Sequence, residues 1–317
     1  MTHDPSETLD EQADPHTAVS SEDGNEAEQT DQDMGTEEPS LGDGEETHAP
    51  SGLEVEAVAA VAAESFDAAA VAPDLTGLRP IGEASYGPLD VGAETVHGTD
   101  NRIQIQSTAS YPWRAHASLL ITARDGSRWI GTGWFIGPHT LATAGHVVYI
   151  KNSGVAGRDG FVRSVQVMPG RNGASLPYGS ATTSRVRTVA GWANSGNPDY
   201  DYGAILLNTE LGNSTGTFGF GAYSNSTLNS TTVNISGYPG DKPTGTQWYH
   251  WNRVASTSSR RVYYDVDTFG GQSGSAVYRI VNGSRYGVAI HAYGGAVTNS
   301  GTRITKPVFD NLVAWKA

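Results

Sequence analysis

Thr268-Phe269-Gly270-Gly271-Gln272-Ser273-Gly274-Ser275-Ala276 is the stretch of sequence from which the fold is deduced. A serine flanked by glycines on a tight turn presents its hydroxyl, so Ser273 is the candidate nucleophile. The glycines permit backbone angles and close approaches that a β-carbon forbids, so the amides of Gly271 and Ser273 can converge on one point as an oxyanion hole. Glycine and serine are also common in ordinary turns, and the stretch by itself indicates only a turn.

Two further residues supply what a serine nucleophile needs, a base within hydrogen-bond reach and a group that orients the base. His146 ends the block Thr143-Ala144-Gly145-His146, which follows an apolar strand at residues 134–136. Asp201 directly precedes the apolar run 202–207 and is the candidate orienting carboxylate. Asp199, two residues earlier, is its rival. The order along the chain is therefore histidine, aspartate, serine.

Four blocks together resemble the chymotrypsin-fold serine endopeptidases, most closely the bacterial glutamyl endopeptidases. They are Thr-Ala-Gly-His at 143–146, Asp201 before its strand, Ile-Ser-Gly-Tyr-Pro-Gly-Asp-Lys-Pro at 235–243, and Tyr-Asp-Val-Asp-Thr at 264–268. The resemblance covers roughly residues 95–317. It implies two antiparallel six-stranded β-barrels, with His146 and Asp201 on the first, Ser273 on the second and the site between them. It also favours Asp201 over Asp199, because Asp201 stands where the family has its aspartate.

The pattern of short apolar runs agrees with an all-β fold. From about residue 103, runs rich in β-branched and aromatic residues alternate with turn residues, which is typical of a barrel or sandwich. We expect the first barrel at about 95–215, the second at about 216–305 and a C-terminal helix at 306–317, where the apolar residues have helical spacing. The predicted strands are Ala117–Thr122, Arg128–Ile136, Ser164–Met168, Thr182–Ala190, Gly203–Leu207, Thr231–Ser236, Arg261–Asp265, Ser275–Tyr278 and Gly287–His291.

The first 94 residues form an acidic leader. They contain 24 Asp and Glu against one basic residue, Arg79, while residues 95–317 contain 10 acidic and 19 basic residues, so charges of −23 and +9 sum to −14. Residues 1 to about 50 have few large apolar side chains, which predicts disorder. Leu53–Val71 is a candidate helix that its acidic residues make unsuitable as a membrane span. The charge split suggests that the leader masks the cleft and that the basic domain favours acidic substrates, or only that an acidic tail keeps the chain soluble.

The resemblance also assigns a specificity pocket. His291 ends a strand after the serine turn and matches the family's pocket histidine, and Thr268 matches its pocket threonine. A pocket for glutamate must supply donors to a carboxylate removed from water. The segment beginning at Thr95 resembles the mature amino terminus of these enzymes, so cleavage after Glu94 is predicted to remove the leader and to free an α-ammonium that helps hold the substrate. Cleavage elsewhere, for instance after Glu83, is the alternative.

The sequence excludes several kinds of chemistry. There are no cysteines, hence no disulfides and no thiol nucleophile. No His-Glu-x-x-His spacing occurs, so we expect no catalytic metal and no cofactor. No basic and apolar leader typical of a secretory signal is visible, although the resemblance implies an extracellular enzyme. We expect a monomer that acts on proteins or peptides, without nucleic-acid or membrane partners. Cleavage after other residues and a catalytically silent binding module are the alternatives.

Overall fold

The structure, a computed structural model, describes residues 14–22, 45–50, 71–86 and 95–316. β-Strands dominate these segments, as the sequence predicts. Before residue 95 the elements are β1 (Ala18–Ser20), β2 (Glu46–His48), β3 (Arg79–Pro80) and α1 (Gly82–Tyr86). The later strands are β4 (Ile103–Ile105), β5 (His116–Thr122), β6 (Arg128–Phe135), β7 (Thr140–Thr143), β8 (Tyr149–Ile150), β9 (Gly160–Phe161), β10 (Ser164–Pro169), β11 (Ala181–Thr183), β12 (Val186–Val189), β13 (Gly203–Leu206), β14 (Gly219–Ala222), β15 (Thr232–Gly237), β16 (Gln247–Thr257), β17 (Arg261–Tyr264), β18 (Ala276–Val281), β19 (Ser284–Tyr293) and β20 (Asn299–Arg303). The later helices are α2 (Gly145–Val148), α3 (Ala190–Ser195), α4 (Leu211–Thr215), α5 (Asn225–Asn229) and α6 (Lys306–Lys316).

The first barrel is formed by strands in the order β12-β13-β7-β6-β5-β10-β11. The two ends of this order are consecutive in the chain, because only residues 184–185 separate β11 from β12. The Thr183 hydroxyl donates to the Leu206 carbonyl at 2.8 Å and joins β11 to the end of β13. The single strand predicted at Thr182–Ala190 is therefore two strands with a corner between them. Alternate side chains of β5 and β10 fill the interior, among them Leu119, Ile121, Val165 and Val167, all fully buried.

The second barrel closes through its own hydrogen bonds. Its strands follow the order β18-β15-β16-β17-β20-β19, and β19 pairs back to β18, which makes the six-stranded ring that the resemblance implies. Strand β16 was not among the predicted strands, since its mixed polar and aromatic residues form no apolar run. Strand β4 pairs with β16, so residues 103–105 join the second sheet and not the first barrel, to which the sequence assigns them.

The C-terminal helix α6 is confirmed at Lys306–Lys316. Val308, Leu312 and Trp315 are buried on the face that packs against β7, β13 and β14. The Thr140 hydroxyl donates to the Trp315 carbonyl at 2.9 Å and satisfies one of the carbonyl groups that a helix end leaves without a partner. Among the described residues, no helix has the length and apolar character needed to cross a bilayer.

The leader is more ordered than its composition predicts. Strand β1 adds antiparallel to the edge of β12, and β2 adds antiparallel to β14. The disorder expected up to about residue 50 is thus wrong for residues 14–22 and 45–50. Composition measures how much apolar surface a segment can bury by itself, whereas these short strands are ordered by backbone groups at the edges of sheets that already exist. The helix predicted at Leu53–Val71 lies, apart from Val71, outside the described residues.

Candidate active site

The strand pairing of the first barrel brings His146 to Asp201. His146 lies in α2, directly after β7, and Asp201 lies directly before β13, which pairs antiparallel with β7. The His146 amide donates to Asp201 Oδ1 at 2.8 Å, and His146 Nδ1 lies 2.7 Å from Asp201 Oδ2. Both side chains are fully buried. Since the carboxylate accepts from Nδ1, the other ring nitrogen, Nε2, is the one that can take up a proton.

Burial alone would raise the pKa of Asp201. The charge of His146 and hydrogen bonds from His146 and Tyr293 outweigh burial, so the pKa lies below its ordinary value and the carboxylate stays ionised. The rival Asp199 has a different place: its Oδ1 accepts a hydrogen bond from Arg261 Nε at 3.0 Å at the partly exposed surface. Of the two aspartates, Asp201 is the one that contacts the imidazole.

The Ser273 hydroxyl and His146 Nε2 both lie close to Gly82. A β-carbon added to Gly82 would lie 3.7 Å from Ser273 Oγ and 4.0 Å from His146 Nε2. The Thr132 amide donates to the Ser273 carbonyl at 3.0 Å and fixes the serine turn against β6 of the first barrel. The structure therefore brings together the three residues that the sequence singles out, at the contact between the barrels.

Hydrogen bonds to the carbonyl groups of the serine turn fix its backbone conformation. Gly240 donates to the Gly270 carbonyl at 2.7 Å, so the Gly271 N–H, on the other side of that trans peptide, points away from Gly240. The Thr132 hydroxyl donates to the Gly271 carbonyl at 2.8 Å. Gly271 has φ +105°, and a β-carbon there would lie 2.6 Å from a backbone oxygen. Only glycine fits this position without displacing the turn.

His291 lies on β19 beside the serine turn. Its amide donates to the Ser275 carbonyl at 2.9 Å, and its carbonyl accepts from the Gly274 amide at 2.7 Å. The fully buried ring has Nδ1 2.7 Å from the Tyr264 hydroxyl. Burial, and then the nearby His146, lower the pKa of His291 to about 3, so the ring is neutral. When Tyr264 donates to Nδ1, the ring proton lies on Nε2, where it can donate to a carboxylate.

Thr268 and Thr95 lie next to each other. The Thr268 amide donates to the Thr95 carbonyl at 3.3 Å, and Thr95 exchanges hydrogen bonds with the Asn299 side chain at 2.7 and 3.1 Å. Asn299 is on β20, which pairs with β19, the strand of His291. The Thr268 hydroxyl is buried and makes no hydrogen bond within the described residues. The predicted cleavage position Glu94 lies outside them.

Two residues of the site were missed by the sequence analysis. The Tyr293 hydroxyl donates to Asp201 Oδ2 at 2.5 Å, and the Thr302 hydroxyl donates to the Asp201 main-chain carbonyl at 2.9 Å. Tyr293 also lies under the Arg261 guanidinium, 4.6 Å from its ring centroid. The available signal in the sequence was the position of Tyr293 two residues after His291, a spacing that puts two side chains on the same face of a strand. Its hydroxyl reaches Asp201 only because the second barrel packs against the first.

A leader segment covers the site. The Ile81 amide donates to the Ile130 carbonyl at 2.9 Å, continuing the pairing of β3 with β6. Pro80 lies over Gly270, since a β-carbon on Gly270 would come within 2.5 Å of its ring. Gly82 then starts α1 beside Ser273 and His146, as measured above. No local pattern in residues 79–86 predicts this placement.

Comparison with known proteins agrees with the geometry. The family model described as Trypsin matches residues 102–315. The glutamyl endopeptidase of Bacillus licheniformis is 46% identical over 231 residues, 70% of this chain and 69% of that protein. A Bacillus subtilis protein named extracellular metalloprotease is 39% identical over 223 residues, 70% and 69% of the two chains. A solved Glu endopeptidase in complex with MPD matches with a TM-score of 0.60 and 29% identity, over 70% of this chain and 99% of that one.

The predicted family and fold are thus confirmed. In the segments that the structure describes, no group of three or more His, Cys, Asp or Glu side chains is arranged to hold a metal ion. The family match covers well over half of the chain and includes the histidine, aspartate and serine that the barrels bring together. This chain belongs to the trypsin family and is a serine endopeptidase of chymotrypsin-like fold.

Proposed function

We propose that this serine endopeptidase hydrolyses protein and peptide chains after glutamate, and less well after aspartate. The observation that carries the proposal is the neutral, buried His291 beside the serine turn. The buried Thr268 hydroxyl, in the stretch that leads into the same turn, is the second donor on which it rests. The names of two similar proteins, the glutamyl endopeptidase of B. licheniformis and the solved Glu endopeptidase, point to the same substrate class.

We assign the catalytic roles as follows, and the contact of His146 with Asp201 supports the assignment. Ser273 attacks the carbonyl carbon after the glutamate while His146 Nε2 takes the hydroxyl proton. The amides of Gly271 and Ser273 donate to the developing oxyanion, and Asp201 holds the proton on Nδ1 of the histidine. His146 then protonates the leaving amine, and water repeats the sequence on the acyl-enzyme. Replacement of Ser273 or His146 by alanine is expected to lower kcat by roughly four to six orders of magnitude.

The pocket is suited to a carboxylate by its donors. A buried carboxylate needs several hydrogen bonds or a positive charge to offset its loss of water. The Nε2 proton of His291 and the Thr268 hydroxyl supply two neutral donors. A third group would come from processing: cutting the Glu94–Thr95 bond turns the Thr95 N–H, which donates to Asn299 Oδ1 at 3.1 Å, into an ammonium, and the carbonyl of the same residue already accepts from the Thr268 amide. The affinity of the pocket for a substrate glutamate would then increase when the leader is cut.

The leader keeps the uncut chain inactive in this proposal. Gly82 lies beside both Ser273 and His146, so the carbonyl of a substrate cannot reach Ser273 Oγ. The leader passes the site as a helical turn, and its Glu83 pairs outward with Arg79 at 2.7 Å, away from the buried His291. Proteases cut extended chains, so this segment blocks the site and is not cut there. The mature start is held in place already, because Asp267 accepts from the amides of residues 97 and 101, at 2.9 Å each.

A peptide-library experiment tests the function. Purified full-length protein and its Ser273→Ala variant are incubated with a complex peptide mixture, and all new ends are read by mass spectrometry, including the protein's own. Molecules in which residues 79–86 have transiently left the site start the cutting, so with wild type only, and after a lag, we expect cuts after glutamate and a new amino terminus at Thr95. Serine-dependent cuts after other residues would reject the pocket assignment, and a mature start far from residue 95 would reject the cleavage position.

Matched pocket variants locate the specificity. Thr268→Val keeps the volume of the side chain and removes only the hydroxyl, so it should raise KM for glutamate substrates while substrates with small residues are affected little. His291→Asn should have a larger effect of the same kind. Equal losses on both kinds of substrate would show that these residues support the fold and not the choice of glutamate.

We also propose that the enzyme acts outside the cell, as the word extracellular in the name of the B. subtilis relative suggests.

A further inference from the structure

Residues 14–22, here called the anchor segment, are bound along the outer edge of β12. The β1 pairing is extended at both ends: the amides of Ala190 and Gly191 donate to the carbonyls of Thr17 and Pro15 at 2.8 Å each, and Ser21 donates to the Val186 carbonyl at 3.1 Å. Val19 is 8% exposed and belongs to the core of the first barrel. The anchor segment is therefore integrated into the domain and is not a loosely attached tail.

A pocket for His16 lies at the start of the anchor segment. His16 Nδ1 is 2.8 Å from the Tyr202 hydroxyl, and Arg260 Nη1 is 3.0 Å from Nε2. Asn311 donates to the His16 carbonyl at 2.9 Å, and the ring of Tyr200 contacts the imidazole edge-on, with centroids 5.0 Å apart. Arginine can only donate, so Nε2 accepts and the Nδ1 proton is donated to Tyr202. We call these four domain residues, with the edge of β12, the anchor site.

Buried contacts, and not surface charge, account for the binding. The exposed pair of Glu22 with Arg185, at 2.7 Å, joins the anchor segment to the domain, but both side chains are about 40% exposed and such pairs contribute little. His16, at 9% exposure, Val19 and Ser20 are the buried residues of the segment. Attraction between the acidic leader and the basic domain depends on net charge alone, whereas the contacts at the anchor site depend on particular side chains of the anchor segment.

The position of the cut has a consequence for release. The anchor segment and residues 79–86, which cover Ser273, both precede the Glu94–Thr95 bond. Hydrolysis of that bond breaks none of the contacts described for either segment. We propose that the cut leader stays bound as a separate inhibitor chain, held at the anchor site by an extended segment that contains a histidine. This rests on the proposed activation by cleavage near Glu94, and it makes release of the leader a second step.

The test uses the full chain. In the Ser273→Ala protein, residues 89–94 are replaced by the recognition sequence of an unrelated protease that cuts after its last residue, so that the new amino terminus is Thr95. The protein is then cut at that sequence and passed over a gel-filtration column at pH 7.5 and micromolar concentration. We expect the two fragments to elute together and to separate only on strong dilution. Immediate separation would overturn the proposal.

Two leader variants identify the anchor. His16→Leu removes the acceptor of Arg260 and one of the two partners of the buried Tyr202 hydroxyl, which keeps its hydrogen bond from Asn311, and is expected to weaken fragment binding roughly tenfold to a hundredfold. Asp74→Asn is the matched control, since the exposed Asp74 carboxylate has its hydrogen bonds with Thr76, within the leader. Equal dissociation constants for the two variants would overturn the assignment of the anchor site.

The same cut in the protein with Ser273 intact separates this inference from the proposed function. We expect activity to appear slowly after cutting and faster on dilution, as the leader dissociates. Full activity at the moment of cutting, with glutamate specificity present, would overturn the inference and leave the proposed function intact. Fragments that elute together but release no glutamate-specific activity on dilution would overturn the proposed function alone.

Discussion

Acid should loosen the leader through His16. The ring is neutral in the bound leader, because Nε2 accepts from Arg260 and Nδ1 donates to the Tyr202 hydroxyl. Burial, and then the charge of Arg260, lower the pKa of His16 from 6.5 to about 4, while Asp14 acts in the opposite direction. Protonation would remove the acceptor and place two positive charges together.

The magnitude follows from the two pKa values. Bound His16 takes up fewer protons than free His16, so binding is at full strength above pH 6.5 and weakens as the pH falls towards 4. A gap of about 2.5 pKa units limits the loss to about 3 kcal/mol. At pH 5 the expected loss is about 2 kcal/mol, or roughly a thirtyfold higher dissociation constant than at pH 7.5.

The measurement is the dissociation constant of the cut leader between pH 7.5 and pH 5, for wild type and for His16→Gln on the Ser273→Ala background. Glutamine keeps a donor and an acceptor but does not titrate. His48, whose pKa is also lowered by burial and by Lys316, should give both proteins a smaller slope of the same sign. The difference between the slopes is the contribution of His16. Identical slopes would refute the reasoning.

Two further predictions concern the catalytic geometry. Tyr293→Phe removes a hydrogen bond to the Asp201 carboxylate and is expected to lower kcat about tenfold at unchanged KM, whereas Thr302→Val, which removes a hydrogen bond to the Asp201 carbonyl, should lower Tm more than kcat. Equal effects on kcat would show that Tyr293 has only a structural role. Gly271→Ala should lower kcat roughly a hundredfold or more by displacing an oxyanion donor. Gly283→Ala is its control, because Gly283 also has a positive φ, +84°, but open space around it, so a similar loss there would contradict the prediction.

The parts of the structure that the sequence predicted are those with local patterns. The helix at Lys306–Lys316 was predicted by the helical spacing of its apolar residues, and the strands of the barrel cores were predicted by their runs of β-branched residues. His146, Asp201 and Ser273 were found because each lies in a short block whose order along the chain is typical of the family. The structure brings the three side chains to the same place, and their catalytic roles stay a prediction.

The parts that were missed depend on contacts between distant segments. Strand β16 has mixed polar and aromatic residues because much of it is exposed, so periodicity gives no signal. Tyr293 touches Asp201 across the contact between the barrels, 92 residues away in sequence. The leader strands β1 and β2 are polar, and what orders them is the hydrogen-bonding edge of another strand. Composition is a property of each segment by itself and contains no information about such an edge.

The two leader strands have a consequence for the colloidal behaviour of the enzyme. In the uncut chain, β1 and β2 lie on β12 and β14 and satisfy backbone groups at one end of each sheet. If the leader leaves as proposed, both rows of N–H and C=O groups become exposed, and such edges promote pairing between molecules. The leader strands would then shield these edges against aggregation for as long as the chain is uncut. In the cut form, the net charge of +9 on residues 95–317 would keep the molecules apart, so they should aggregate more readily as salt is raised.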